Sequence, residues 1–389
     1  MKTAAIIAEY NPFHAGHAYL TARCRAYGAT HVAAIMNGHF MQRGEPSLLS
    51  KWARAKSALS CGVDLVVELP LSFGSACAER FALGGVALAD AMGCADMLAF
   101  GCECDDIALL IEASEAVADP QVMTRIKSLA AEGKSFPRAR EEAIRKFYSG
   151  EIAELLDKPN NILAIEYLKA LRQLGSDIAP LPVMRKGSAH DGKIPKDGIL
   201  SAGAIRGFGS PEQARGFMPD AAYEIYKNEC DSGAITDRGK IETAVLSKLR
   251  TMTAEDFREL PDVSEGLEHR IYSAMRQATG LGELYDAVKT KRYTHSRIRR
   301  IIMHAFLGVT RELLPASPSY MRVLGHNEKG RELLSLLKKN AKLPLCAKAS
   351  ELKGNPDFEL ECRASDLYSL LLKKTEVCGR EMTQQIIII

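Results

Sequence analysis

The sequence predicts an α/β fold in its first part and a mainly helical region after it. Short apolar runs alternate with helix-like segments up to about residue 235, and such runs are no longer seen from about residue 240. Strict alternation of strands and helices predicts a parallel sheet covered by helices on both faces. A domain takes roughly 100–200 residues, so a chain of 389 residues has room for both parts.

Five strands are predicted for the sheet, because each is a short apolar run of strand length. They are residues 3–8, 31–36, 63–69, 96–100 and 178–184. Helices are predicted between them at residues 18–27, 51–60, 77–92 and 162–174, and residues 105–156 form a helical insertion or cap. Residues 1–235 are therefore predicted to be one Rossmann-like domain.

Residues 236–389 are predicted to be a second, mainly helical region. Pro344, Gly354 and Pro356 interrupt its last part, where a small mixed segment is expected. The four isoleucines at 386–389 indicate either a buried terminal strand or an exposed apolar end.

Composition and charge limit the classes of function. With 51 basic and 48 acidic residues the net charge is +3, which neither requires nor excludes a polyanionic partner. Trp52 is the only tryptophan and aromatic residues make up 6% of the chain, so contacts to a nucleic acid would depend on Lys and Arg. We find no run long enough to span a membrane.

The ten cysteines and the N-terminal residues favour a reducing, cytoplasmic setting. The cysteines form no C-x-x-C pair, and the nearest two, Cys102 and Cys104, suggest reduced thiols more than a disulfide or a zinc site. The first apolar run is interrupted by Glu9, too early for a signal peptide.

The loop after the first strand carries the clearest chemical signal, the string EYNPFHAGH from Glu9 to His17. In an open parallel sheet this loop lies at the carboxyl edge, and the helix that follows presents free N–H groups and a partial positive charge to an anion. Two histidines three residues apart can converge on one phosphate, and Gly16 between them leaves the backbone accessible.

Transfer at an α-phosphate requires positioned hydrogen-bond donors and no protein nucleophile, which matches this set of residues. A bare H-x-G-H pattern is equally compatible with ordinary polar residues in a loop. Its position after the first strand, behind Asn11-Pro12-Phe13, favours nucleotide binding with His14 and His17 as the catalytic residues.

At this point the chain resembles the H-x-G-H nucleotidyltransferases and, within them, the bacterial tRNA-Met cytidine acetate ligase family. The resemblance is carried by EYNPFHAGH and by further strings along the first two thirds of the chain. These are MNGHFMQRGEP at 36–46, SKWARAKSAL at 50–59, DLVVELP at 64–70, FGCE at 100–103, KPNNILAIEYLKAL at 158–171 and MRKGSAHD at 184–191.

The resemblance implies an enzyme that joins acetate to ATP, releases pyrophosphate and passes the acetyl group to the wobble cytidine of elongator tRNA-Met. The product would be N4-acetylcytidine. The ATP-binding residues it implies are Ile7, Ala8, Glu9, Tyr10, Asn11, Pro12, Phe13, His14, Ala15, Gly16, His17, Ala18, Tyr19, Leu20, Gly101, Asn160, Asn161 and Arg185. Which of the two asparagines contacts ATP is left open, and both also stand where a helix N-cap is expected.

The chain departs from the family pattern in two strings. The I-S-S-T-x-I-R string of the superfamily matches residues 200–206 here, which have no threonine, so phosphate contacts there are expected from Ser201, Arg206 and backbone N–H groups. Cys102 replaces the serine of the family's F-G-S-E string. Mg²⁺ is expected with the triphosphate, although no carboxylate cage and hence no metal-ligating residue is predicted.

The richest basic segment lies in the helical region and predicts phosphate-backbone contacts with tRNA. Its candidate residues are Lys291, Arg292, Arg297 and Arg300. The alternative is that these residues form an ordinary solvated helix face. A weaker second cluster contains Arg322. Arg43, in a long loop at the ligand edge, is a further candidate for contact with the acceptor.

Two other functions remain open at this level. A nucleotidyltransferase of a small metabolite would not need the basic helical region. A non-catalytic RNA-binding protein that retains an ATP pocket would bind tRNA without forming an adenylate.

Overall fold

The computed structural model describes residues 1–186, 198–264 and 266–389, so the end of the MRKGSAHD string lies outside the described residues. The strands are β1 Thr3–Ala8, β2 His31–Asn37, β3 Phe40–Met41, β4 Glu45–Pro46, β5 Leu65–Leu69, β6 Met97–Cys102, β7 Ala179–Met184, β8 Met321–His326, β9 Leu345–Cys346 and β10 Ile387–Ile388.

The helices of the first part of the chain are α1 Ala15–Ala26, α2 Lys51–Ser60, α3 Leu71–Gly74, α4 Ala78–Ala91, α5 Ile107–Ala116, α6 Pro120–Ala131, α7 Phe136–Phe147, α8 Gly150–Leu155, α9 Pro159–Leu174, α10 Ala202–Arg206 and α11 Asp220–Ser232. Those of the second part are α12 Arg238–Leu249, α13 Ala254–Arg258, α14 Leu267–Gln277, α15 Leu281–Val288, α16 His295–Leu307, α17 Glu328–Asn340, α18 Pro356–Leu370 and α19 Arg380–Thr383.

The main sheet has the strand order β10-β8-β5-β2-β1-β6-β7, with β9 paired to β8. The five predicted strands are β1, β2, β5, β6 and β7, and all their mutual pairings are parallel. Strand β2 is buried along its whole length, as expected for a parallel strand covered on both faces. The α/β fold class is confirmed.

The second part of the chain also contributes strands to this sheet, which differs from the expectation of helices throughout. Strand β8 pairs antiparallel with β5, and β10 pairs parallel with β8. The isoleucine run is thus a terminal edge strand, although Ile388 is 67% exposed. Strand β8 is short and contains the charged residue Arg322, so its sequence does not show a plain apolar run.

Apolar side chains cover both faces of the sheet. One face packs against α4, α5, α9 and α17, and the other against α1, α2 and α11. A third core joins α12–α16 with α18, and Phe40 and Leu71 from the first part of the chain belong to it. Full burial of an aliphatic or aromatic side chain stabilises the fold by about 1.5–3 kcal/mol, so these shared residues join the two parts firmly.

A buried cluster of charges joins the two parts as well. Lys51 of α2 forms an ion pair with Glu68 of β5 and with Glu381 of α19 at 2.7 Å. Arg322 of β8 forms ion pairs with Glu68 and Glu381. A carboxylate oxygen of Glu361 in α18 lies 3.8 Å from Nζ of Lys51. All five side chains are at most 3% exposed, so each charge depends on its partners rather than on water.

Candidate active site

A cavity of about 750 Å³ opens at the carboxyl ends of β1, β6 and β7. Its floor is formed by the end of β1 and the H-x-G-H loop, and its side by Gly101 and Arg185 at the ends of β6 and β7. The N-terminal turns of α1 and α9 also face it, through Gly16 and Asn160. Helix N-termini favour anions, so the cavity has the polarity that a triphosphate requires.

His14 is the N-cap of α1 and His17 is in its first turn. The Nδ1 atom of His14 accepts a hydrogen bond from the Gly16 N–H at 2.9 Å, and the Nδ1 atom of His17 accepts one from the His14 N–H at 3.2 Å. The two imidazole rings lie 3.9 Å apart, centroid to centroid. The sequence NPFHAGH therefore folds as a reciprocal capping box made of two histidines.

These hydrogen bonds determine which ring nitrogen of each histidine carries the hydrogen and can act as a donor. A neutral imidazole has one acceptor and one N–H, so an accepting Nδ1 leaves the hydrogen on Nε2 in both rings. Burial, together with Arg185 and Arg206, lowers the pKa of His14 to about 3, and burial and His14 lower the pKa of His17. Both rings are therefore neutral at physiological pH with the hydrogen on Nε2, and both residues line the cavity.

Gly16 has a tighter steric role than the sequence indicated. A Cβ atom at this position would lie 2.7 Å from Cε1 of His14, closer than carbon atoms approach. The glycine is therefore needed so that the His14 ring can fold over the helix start. Accessibility of the backbone to a phosphate follows from the same missing side chain.

The structure distinguishes the two asparagines of α9. Asn160 lines the cavity, where its Oδ1 accepts a hydrogen bond from Arg185 at 2.7 Å and its amide donates to Glu103. Asn161 is fully buried behind it and accepts the Glu103 N–H at 2.7 Å. The N-cap of α9 is Lys158, so neither asparagine has the capping role that was the alternative.

Most of the other predicted ATP-binding residues reach the cavity. Ile7, Ala8, Glu9, Tyr10, Asn11, Tyr19, Leu20 and Gly101 line it, together with the predicted phosphate contacts Ser201 and Arg206. Pro12, Phe13, Ala15, Ala18 and Asn161 are not among the lining residues. Ser201 also caps α10 by accepting the Ala204 N–H, and Arg206 donates to the carbonyl of Asn11.

A further wall of the cavity comes from the start of α16, in the helical region. Thr294, His295, Ser296, Arg299 and Arg300 line the cavity there, and of these only Arg300 was a predicted tRNA contact. This wall was missed because residues 291–300 read as a surface patch far along the chain from the motif. The spacing of a sequence pattern contains no information on which surface such a helix meets.

The remaining basic candidates have different surroundings. Lys291 and Arg292 are exposed, whereas Arg297 donates to the Asp262 carbonyl and to Ser264 Oγ. Arg300 forms an ion pair with Asp262 at 3.3 Å. Two of the four candidates are thus exposed and two are held by residues 262–264, and the contact of all four with RNA stays a prediction.

Arg322 is not available to a polyanion, so the second basic cluster was wrongly placed at this residue. Its side chain is 3% exposed and is held by Glu68 and Glu381. Three aromatic residues that were not among the predicted site residues, Phe81, Phe100 and Tyr167, give the cavity an apolar side. An adenine ring would fit such a surface by stacking or edge contacts.

Two features of the described residues bear on membranes and metals. In residues 1–186, 198–264 and 266–389, no helix is long and apolar enough to cross a membrane. Within the same ranges, no group of three or more His, Cys, Asp or Glu side chains is arranged to hold a metal ion.

Comparisons with known proteins agree with this geometry. Residues 1–384 match the HIGH Nucleotidyl Transferase family. The tRNA(Met) cytidine acetate ligase of Acetivibrio thermocellus is 40% identical over 418 aligned positions, which cover 100% of both chains. The enzyme of the same name from Clostridium perfringens is 37% identical and covers 95% of this chain and 96% of its own.

Solved structures also match this chain over its full length. The apo crystal structure of Thermotoga maritima TmcAL superposes with a TM-score of 0.94 at 32% identity, covering 100% of both chains. The structure of the same protein bound with alpha-thio ATP gives a TM-score of 0.92. The motif, the cavity and these full-length similarities together show that the chain belongs to the HIGH nucleotidyl transferase family and, within it, to the tRNA(Met) cytidine acetate ligases.

Proposed function

We propose that this protein activates acetate with ATP and transfers the acetyl group to the wobble cytidine of elongator tRNA-Met, forming N4-acetylcytidine. The observation that carries the proposal is the pair of imidazoles that lie 3.9 Å apart at the N-terminus of α1, line the cavity and accept backbone N–H groups at Nδ1, which leaves Nε2 as the donor. The names of the relatives and the alpha-thio ATP bound to the Thermotoga maritima protein support it.

In the first step, an acetate oxygen attacks the α-phosphorus of ATP and the bond to the β-phosphate oxygen breaks. Acetyl-adenylate forms and pyrophosphate leaves with the bonding electron pair. Negative charge builds on the phosphoryl oxygens in this step, and His14 and His17 donate to them from Nε2. Arg185 and Arg206 place positive charge beside the departing pyrophosphate.

In the second step, the exocyclic amine of cytidine attacks the acyl carbonyl of the adenylate. A C–N bond forms, the C–O bond to the phosphate breaks, and AMP leaves with the electron pair while the amine loses one proton to solvent. The cationic surface near α16 would hold the tRNA backbone through salt-sensitive phosphate contacts. The cytoplasm, where tRNA is modified, is the expected setting.

Mg²⁺ is expected with the triphosphate, but the described cavity residues do not form a cage for it. Two carboxylates among the described residues line the cavity, and both already have partners. Glu9 accepts a hydrogen bond from the Gln42 N–H, and Glu45 forms an ion pair with Arg206. The ion would therefore be held by phosphate oxygens and water. No step proposed here depends on its position.

Acetate-dependent exchange of labelled pyrophosphate into ATP tests the first step, with and without tRNA. We expect exchange in the wild type and its loss in His14→Ala. Labelled acetate recovered on cytidine of tRNA-Met tests the second step. If another small molecule supports the pyrophosphate exchange in place of acetate, the result would favour a small-metabolite nucleotidyltransferase. If the protein binds tRNA but catalyses no exchange, the result would favour a non-catalytic RNA-binding protein.

A further inference from the structure

The short hairpin of residues 40–46, made by β3 and β4, is rooted in the helical core. Its first residue, Phe40, is fully buried, and its ring centroid lies 6.4 Å from that of Phe306 in α16 and 6.3 Å from that of Tyr368 in α18. The hairpin therefore belongs by packing to the second part of the chain, although its sequence lies in the first.

The same hairpin is hydrogen-bonded to the H-x-G-H loop. The Gln42 N–H donates to Oε1 of Glu9 at 2.8 Å, and Glu45 forms an ion pair with Arg206 at 2.7 Å. Arg206 also donates to the Asn11 carbonyl at 2.8 Å. Just after the hairpin, the Leu48 N–H donates to Oδ1 of Asn11 at 2.8 Å. The loop that carries the histidines is thus tied at Glu9 and Asn11 to the hairpin and to the residues next to it.

Gly44, in the turn of the hairpin, makes the closest contact with α16. Its φ of +73° is in the left-handed region, and a Cβ there would lie 2.4 Å from both the Arg299 carbonyl carbon and the Arg300 nitrogen. Those atoms belong to a helix backbone, so they cannot move aside as a flexible side chain would. Any side chain at this position must separate the hairpin from α16.

We propose that this hairpin positions the acceptor, an RNA nucleoside with an exocyclic amine, by fixing the distance between α16 and the adenylate. Gln42 and Arg43 of the hairpin line the same cavity as His14 and His17, and so do Ser296 of α16 and its N-cap residue Thr294. This inference rests on the proposed function, because it requires that α16 holds tRNA and that the cavity forms an acyl-adenylate.

Gly44→Ala separates the two half-reactions. The hairpin stays hydrogen-bonded to the H-x-G-H loop through Gln42 and Glu9, so the added methyl group displaces α16 and not the nucleotide site, and acetate-dependent exchange of pyrophosphate without tRNA should match the wild type. A misplaced acceptor should lower kcat for acetyl transfer by about tenfold to a hundredfold, because a displacement on the order of 1 Å has effects of that size. The KM for tRNA should be unchanged, since the cationic surface of α16 is intact.

Two further variants separate the contact from backbone strain. Gly44→Asn should behave like Gly44→Ala, since asparagine tolerates a positive φ but still carries the Cβ. Gly175→Ala is the matched control, because Gly175 also has a left-handed φ of +59° but has no atom within 4 Å of its Cβ position. It should leave both half-reactions unchanged.

Three results would overturn the inference. Two concern folded Gly44→Ala: exchange and acetyl transfer fall by the same factor, or neither rate changes. The third is a wild-type rate of acetyl transfer in Gly44→Asn. If Gly44→Ala does not unfold cooperatively on heating, Phe40→Leu decides instead. That change removes the ring contacts of the hairpin with Phe306 and Tyr368 at a residue that does not line the cavity, and it should lower transfer while exchange is kept. Lack of acetate-dependent exchange in the wild type would instead refute the proposed function.

Discussion

His14 serves helix α1 and the cavity with one ring. Its Nδ1 caps the helix and its Nε2 carries the N–H donor, so two effects of its replacement can be separated. We predict that His14→Asn keeps the cap, because asparagine is among the best N-cap residues, but loses the imidazole Nε2–H, since the shorter asparagine amide does not reach as far. The exchange rate should fall by about 10²–10³-fold, as for loss of one oxyanion donor.

Thermal unfolding measured beside the exchange rate checks this prediction. His14→Ala is the comparison, since it lacks both the cap and the donor, and loss of an N-cap costs about 1 kcal/mol of stability. The asparagine variant should therefore unfold close to the wild type and the alanine variant below it. Equal exchange rates in wild type and His14→Asn would show that the imidazole Nε2–H has no part in the reaction.

At this scale the sequence indicated the reactive residues better than their surroundings. The pair His14 and His17 could be predicted because strand, loop and helix follow one another directly along the chain. The separation of Asn160 from Asn161 could not, since it depends on Glu103, a residue on another element. Burial of Arg322 could not be predicted either, because its partners come from distant segments.

At the scale of elements, the buried charge cluster joins α2, β5, β8, α18 and α19. Burial and the neighbouring Glu68 raise the pKa of Glu361 from 4.5 to about 8. A protonated Glu361 also balances the cluster, since Lys51 and Arg322 then face the carboxylates of Glu68 and Glu381. The folded protein thus retains a proton that the unfolded chain releases above pH 4.5.

We predict that the stability contributed by this proton is present below pH 4.5 and is lost as the pH rises to about 8. One pKa unit corresponds to about 1.4 kcal/mol, or roughly 2 °C or more in Tm. Glu361→Gln remains neutral, so its Tm should depend less on pH across this window. Glu359→Gln, at an exposed position of the same helix, should follow the wild type. Identical pH profiles for wild type and Glu361→Gln would contradict the prediction.

Helices and strands were predictable where their residues share one character, such as an apolar run, and where they pack against segments nearby in the sequence. The runs that became β1, β2, β5, β6 and β7 are largely apolar, because most of this parallel sheet is covered on both faces. The hairpin of residues 40–46 has two-residue strands, too short for any periodicity. Its role, and that of α16 as a cavity wall, depends on packing between segments more than 250 residues apart.

At the scale of the whole molecule, the boundary near residue 235 stays a prediction. Residues 1–235 alone would leave β5 without its neighbour β8 and Lys51 and Glu68 without Arg322 and Glu381. Removing one partner of a buried pair typically costs about 3–5 kcal/mol. We therefore predict that this fragment does not unfold cooperatively in calorimetry, whereas the full chain does. A sharp transition for the fragment would show that it is an independent domain.

The pairing of β5 with β8 has a consequence for biosynthesis. Glu68 is translated 254 residues before the arginine that neutralises it, and Lys51 precedes its partner Glu381 by 330. While the ribosome adds the intervening segment, the nascent sheet has an open, apolar edge of the kind that promotes aggregation. Long-range closure of this type is slow. Newly made molecules should therefore depend on chaperones until the late strand has docked.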